Sequence, residues 1–513
     1  MKKTLTGIIL VLILVFLSAP SAVASEILIA TPEEISGTDV QQIEWENVVH
    51  SLLFSSPIRF KKDMSGFVQG FSSDWTLSQD GKTMYLTIPK GLAFSNGAPF
   101  TPAAVKASFD RFLKISPYAT DLEALEKITI DGDKVVMHWK SPPIPSLASL
   151  ASVYGGIVDA QAAEKVGPEE SNRNVVSYGL MKIEKWVQGS HITFKRNPNF
   201  QSFYPDVKNK GPINVDSITV RFIPDDFTRV TEILSGAIDI IYSVPSENVA
   251  ELKADKNIVM HSFLQPGCVM LYMNPEAPNL SDVKVRRALQ KGVNRNELVV
   301  VLNNNAQIRN GIFSSSIVGF SQAAEDKFGV KYGYDPETAK DLLDQAGWKD
   351  TNGDGIRDKH GKPLKITAMI TIDYPSSKKT APVIQAQYKK LGIDLQIREY
   401  EAKYIGQAVE DKKYELGTTR WVWPDGDMLT YLFHTDSGNF SYPNVDTLIN
   451  KGRYETDSKK RAEIYAQAQD LILDMGLVIP LFSDISYVAV RKDVQGFALA
   501  GDGTSILNDL EKN

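Results

Sequence analysis

The stretch from Val383 to Ile397 limits the architecture more than any other. A helical face of Ile384, Tyr388 and Leu391 runs to Gly392 and passes directly into "IDLQI", where apolar residues alternate. A period of 3.6 that gives way at one glycine to a period of two is the pattern of a helix returning onto its own sheet, so the chain reads as layered α/β. The same grammar recurs elsewhere. In "FTPAAVKASFDRF", Thr101 is placed to cap a helix with Pro102 at its first position and Val105, Phe109 and Phe112 on one face. "YDPETAKDLLDQAGW" repeats it with Asp335 as cap, Pro336 next, Ala339, Leu342, Leu343 and Ala346 inward, and Gly347 as stop. "SITVRFI" and "TMYLTI" alternate as strands, through Ile218, Val220 and Phe222 and through Met84, Leu86 and Ile88.

The amino terminus sets the compartment. Lys2 and Lys3 precede an apolar run from about Ile8 to Leu17 and then "SAPSAVAS", in which Ala22-Val23-Ala24 fits a cleavage site. A basic start, a short apolar segment and a small-residue exit predict a secretory signal peptide over 1–24; a membrane span needs roughly 20 apolar residues. The lone cysteine, Cys268, is far from that junction, so the expected mature protein is periplasmic and carries no lipid anchor. About 490 residues then remain, too many for one core. With no long linker and no fixed-period repeat, they predict lobes joined by several chain crossings. Cys268 is expected to be a buried small hydrophobe, and internal disulfides are excluded.

The net charge of −6 without a basic stripe argues against a nucleic-acid partner, because phosphate binding requires clustered Lys and Arg. His50, His138, His191, His261, His360 and His434 stand singly, without metal-ligand spacing. Neither a nucleophile elbow nor a phosphate loop is found, and no cofactor is expected. "DTNGDGIRD" begins like a calcium loop at Asp350, Asn352, Asp354 and Gly355, but its twelfth position is Gly361 where a bidentate glutamate is needed. The reading preferred is an Asx-rich turn before the strand in "LKITAMI".

One segment concentrates side chains suited to a ligand. "TRWVWPDGDMLTYLF" sets Trp421, Trp423 and Tyr431 around Asp425 and Asp427, with Arg420 beside them. Aromatic rings give rigid apolar faces with a polar edge and suit a cleft, while the aspartates supply anionic contacts. A core tryptophan with turn aspartates is the equally open alternative.

Five segments, taken in order, resemble one family. "WTLSQDGKTMYLTIPKGLAFSNGAPFTPAAVKASFDR" is followed by "WVQGSHITFKRNPNF", "VDSITVRFIPDDFTRVTEILSGAIDI", "VMLYMNPEAPNLSDVKVRRALQKGVNR" and "YDPETAKDLLDQAGW". Together they are similar to the extracytoplasmic solute-binding proteins of ABC importers, family 5, which includes oligopeptide-, dipeptide- and nickel-binding proteins. The resemblance implies a type II periplasmic binding protein fold of two lobes with an additional domain. Domain I would comprise 25–50, 177–268 and 484–513, domain II 51–176 and domain III 269–483. It further implies a monomer that captures a peptide or peptide-like solute between its lobes and hands it to a membrane permease and its ATPase. The segment from Arg420 falls where family members carry their ligand-facing loop. Counting from Trp421, the aspartate that anchors a peptide amino terminus in relatives falls at Pro424, with Asp425 and Asp427 displaced along the loop. One of these carboxylates is expected to meet a ligand cation. Tyr272 and Asn274, on the strand matching the family's Y-x-x-x-N pattern, and Tyr154 in "SVYGGIV" are further lining candidates. The alternatives are a non-peptide solute, such as a metal chelate, opine or sugar-like molecule, and a secreted hydrolase using Asp425 and Asp427.

Overall fold

A computed structural model describes residues 25–437 and 440–512, so the expected signal peptide lies outside the described residues. One sheet of 12 strands runs through the molecule. At one end lie Asp394–Tyr400, Lys365–Thr371, Leu416–Val422 and Gly267–Met273; at the other lie Ile240–Ile241, Glu26–Thr31, Ser217–Phe222, His191–Arg196 and Met181–Val187. The 14-residue strand Val478–Arg491 joins the two ends, pairing with Gly267–Met273 through its first half and with Ile258–Leu264 through its second.

The hydrophobic interior divides at this junction. One core gathers residues between Ile27 and Ile240 with Val488 to Leu510 and takes in Val318 from the other lobe, and two others lie within 268–482. The chain passes from one lobe to the other at 264–267 and returns at 482–485, side by side, with Gln265 N–H donating to the Asp484 carbonyl at 3.0 Å. Two adjacent crossings form a flexible joint far more readily than scattered ones would, because few backbone angles must change for the lobes to move. The first lobe also holds an antiparallel sheet of Asp74–Leu77, Thr83–Thr87, Lys134–Trp139 and Leu125–Asp131, packed against helix Pro102–Ile115 within the same core.

The local patterns fold as their chemistry dictates. Thr101 Oγ1 accepts from Ala104 N–H, and Val105, Phe109 and Phe112 are buried. Asp335 caps Pro336–Gln345, which buries Ala339 and Leu343. Gly347 and Gly392 both adopt positive φ, at 84° and 79°, a conformation that favours glycine and ends each helix. The helix before Gly392 starts eight residues earlier than its apolar face suggests, at Pro375, and continues through Pro382. That proline has no N–H and removes one bond from the helical ladder, yet Ser377, Thr380, Ala381 and Ile384 are buried across it and hold the turn. Cys268 is buried, and burial pushes its thiol up to about 12. Among the described residues no helix is long and apolar enough to cross a membrane, and no group of acidic, histidine or cysteine side chains is arranged to hold a metal.

Candidate functional site

The strand Leu416–Val422 lies between an antiparallel partner, Gly267–Met273, and a parallel one, Lys365–Thr371. Its end at Val422 points toward the junction of the lobes, where Gly267 pairs with it. Alternation sends neighbours to opposite faces. Trp421, opposite Cys268, joins the core containing Met428 and Tyr465, whereas Arg420, opposite Val269, projects to the other face.

The loop after this strand is tied down by partners far away in sequence. Trp423 N–H donates to the Pro266 carbonyl at 2.8 Å. Val318 N–H donates to the Pro424 carbonyl and Gly426 N–H to the Val318 carbonyl, each at 2.9 Å. A Cβ on Gly426 would stand 2.7 Å from the Tyr465 ring, so only glycine fits. Trp423 packs against the core in which Val318 of the second lobe joins residues of the first, and also against a core of the second alone, which puts this loop at their seam.

Asp425 is fully buried and takes both oxygens to Arg461, at 2.6 and 2.8 Å, while Asp427 N–H donates to its Oδ1 at 2.8 Å. This differs from the expectation of a carboxylate open to a ligand cation: the charge of Asp425 is met inside the protein. Asp427 is also buried, accepting from Thr430 Oγ1 at 2.9 Å and lying 3.4 Å from Arg453 Nε. Burial lifts its carboxyl to about 7; Arg453 opposes the rise and Asp425 adds to it. Arg453 reaches across the seam toward Glu123, at 3.5 Å.

Tyr431 is 41% exposed and stacks on Trp421, with ring centroids 5.9 Å apart and planes 19° from parallel. Its hydroxyl lies against the Asp121 carboxylate of the first lobe, whose pKa burial raises to about 6. Tyr118 stands close by. Its hydroxyl and that of Tyr154 both donate to the Glu44 carbonyl, at 2.5 and 2.9 Å, and the two rings touch at 4.7 Å. The loop they hold presents Trp45, 80% exposed, and Glu46, also exposed.

Of the residues singled out by sequence, Trp421, Trp423, Asp425, Asp427 and Tyr431 are brought together, and Tyr154 stands on the facing lobe. Arg420 leaves the same strand toward a neighbouring cavity. Asn274 belongs elsewhere, because the strand Gly267–Met273 carries it to its far end, roughly 20 Å from the loop at 3.3 Å per residue. Its amide donates to the carbonyls of Lys412 and Tyr414, and its Oδ1 accepts from Glu276 N–H, so its polar atoms serve a turn. Tyr272 packs its ring edge on Phe433 near that end. Trp45, Glu46, Tyr118, Asp121, Arg453 and Arg461 were not anticipated. The one local hint was "EWEN", a tryptophan between acids outside any apolar pattern; the others gain their positions only through contacts distant in sequence.

Residues 67–442 match the model of the bacterial extracellular solute-binding proteins, family 5. The chain is 25% identical over 488 residues to the dipeptide-binding protein of Escherichia coli strain K12, covering 87% of this chain and 86% of that one. It is 26% identical over 477 residues to the nickel-binding periplasmic protein of the same organism, with coverage of 87% and 86%. In fold it is similar to NikA from Brucella suis in complex with Fe(III)-EDTA, with a TM-score of 0.82 at 21% identity, spanning 95% of this chain and all of that one.

Proposed function

The chain belongs to the bacterial extracellular solute-binding proteins of family 5, and from that premise we propose that it captures a peptide or peptide-like solute between its lobes for an ABC permease and its ATPase. It is a binding protein of α/β architecture. The observation that carries the proposal is the seam itself: Val318, bonded to this loop, joins the core of the first lobe, while Tyr431 meets Asp121 and Arg453 meets Glu123 across it. A solute held there would favour the closed state by the extent to which it binds that state better than the open one. Closure about the paired crossings at 264–267 and 482–485 would give a permease a distinct surface to recognise.

In this reading the wall of the site is aromatic, from Trp421, Trp423 and Tyr431 on one side and Trp45, Tyr118 and Tyr154 on the other. Asp425 acts as a positioning residue that fixes the loop through Arg461. Asp121, against the Tyr431 hydroxyl, and Asp427, buried beside Arg453, are carboxylates at this wall. The assigned domains are 25–50, 177–268 and 484–513; 51–176; and 269–483. The mature chain works as a periplasmic monomer after loss of 1–24.

A non-peptide solute is the second reading, favoured by the engagement of Asp425, which removes one carboxylate that could anchor a peptide amine. A hydrolase using Asp425 and Asp427 is disfavoured by the same ion pair. Native mass spectrometry of the protein as purified, followed by isothermal titration with short peptides, opines and metal chelates, tests the proposal. The expected result is a retained or titrated small solute. Silence across all three classes together with an empty native spectrum would sink it.

A further inference from the structure

The second lobe carries a cavity of its own, away from the seam. It measures about 730 Å³ and lies between helix Ala402–Glu410, the strand Lys365–Thr371 and the turn after Met273, with no residue of the first lobe in its lining. Met369, Ile405, Ala408 and Tyr414 pack into a small core beside it. Tyr400 and Tyr404 stack at its wall, with ring centroids 4.8 Å apart and planes 13° from parallel, and Tyr404 remains 58% exposed.

Two features of the lining bear on what the cavity holds. Its charged groups are engaged from within: Lys413 pairs with Asp411 at 3.0 Å, Lys412 lies 3.7 Å from Glu276 and over the Phe440 ring, and Glu415 accepts from Thr367 N–H at 2.8 Å. The Tyr414 hydroxyl, by contrast, has no hydrogen-bond partner among the described residues, although the residue is only 8% exposed and lines the cavity. A buried phenol normally finds a partner, because it is both donor and acceptor.

We propose that this cavity binds a neutral saccharide of one or two rings, at a site separate from the cleft between the lobes. An ionic ligand would have to displace ion pairs already made, and an apolar one would leave the Tyr414 hydroxyl and the outer carboxylate oxygens dry and unpaired. A pyranose avoids both costs. Its C–H bonds meet the electron-rich face of a tyrosine ring, while its hydroxyls, each donor and acceptor, meet phenol and carboxylate oxygens. The volume falls within the roughly 300–1,000 Å³ of small-ligand sites. Because the first lobe contributes nothing to the lining, the site is available whether the lobes are open or closed, and it does not depend on the capture reading above.

Saturation-transfer difference NMR on the mature protein, with glucose, maltose, N-acetylglucosamine and N,N′-diacetylchitobiose, tests this; glucosamine and glucuronate serve as charged counterparts. The expected result is transfer to the ring protons of at least one neutral sugar, bound about fivefold or more tighter than either charged one. Strongest transfer to glucose and maltose assigns the ligand to plain hexoses, and strongest transfer to the N-acetylated pair assigns it to amino-sugar glycans. Tyr404→Ala, at an exposed position, should weaken binding about fivefold or more. Tyr414→Phe, which removes only the hydroxyl, should weaken it about threefold, with circular dichroism showing each variant folded. No transfer to any neutral sugar, tighter binding of a charged one, or unchanged binding in either variant would overturn the proposal.

Discussion

Two segments of this chain are built from nearly the same letters. "DTNGDGIRD" and "WPDGDM" are both short runs of aspartate and glycine, and they use their carboxylates in opposite ways. In the first, Asp350 accepts from Gly353 and Gly355 N–H at 2.7 and 3.0 Å, Asp354 accepts from Ile356 N–H at 2.8 Å, and Asp358 closes on Thr351. Every partner lies within seven residues, so the turn forms from its own atoms. In the second, Asp427 N–H and Thr430 Oγ1 also donate to the aspartates nearby, but the charge of Asp425 is met by Arg461, 36 residues later, and the backbone of the loop is tied to Val318 and Pro266. An aspartate in water on a surface turn stabilises backbone locally; the same side chain out of water must find a cation, as Asp425 does, or hold its proton to higher pH, as Asp427 does.

Breaking the buried pair should have the largest effect. Arg461→Ala would leave the Asp425 carboxylate uncompensated in the interior, and we expect a loss of about 3–5 kcal/mol, read by urea denaturation. A loss under about 1 kcal/mol would mean that water reaches the pair and that the loop is not fixed as described.

A second effect is a slope with pH. Asp427 has a folded pKa near 7, above that of an unfolded aspartate, so between about pH 4 and pH 7 the folded state binds more proton than the unfolded one. The contribution of this group is therefore fully present below that window and is lost as pH rises through it. Asp427→Asn should remove this group's share of the slope, leaving that of Asp121, so that Tm falls less between these pH values than the wild-type Tm does. Parallel Tm curves for the two proteins would show that Asp427 stays ionised throughout.

The smallest effect belongs to the surface turn. Asp350→Ala should cost about 0.5–1.5 kcal/mol, since the released amides can turn to water. Millimolar calcium should leave the wild-type Tm unchanged. A calcium-dependent rise abolished by Asp350→Ala would show that an ion, rather than the backbone, is what these oxygens serve.

Arg420 sharpens the same comparison from the other side. It is five residues from Asp425, yet Asp425 is bound by both oxygens to Arg461 while Arg420 has only a long contact, 4.0 Å, to Asp484 and stays partly exposed. Nothing in "RWVWPD" distinguishes them. The alternation of the strand puts Arg420 over Tyr374, while the loop beyond Val422 turns Asp425 inward to a helix 36 residues later. Asp425 is engaged inside the protein for that reason, and Asn274 stands beyond the far end of the seven-residue strand Gly267–Met273, away from this loop.

What the sequence determined by itself is whatever depends on neighbours a few residues apart: the capped helices at Thr101 and Asp335, the glycine stops at Gly347 and Gly392, the alternating strands, the α/β layering and the family pattern along the chain. What only the tertiary structure decided is which side chains have their charge satisfied and which face the seam. Hydrogen bonds to the next turn are set by local geometry, whereas compensating a buried charge depends on a partner that folding brings from elsewhere. The residues most informative about function are therefore those whose partners the order of the chain does not reveal.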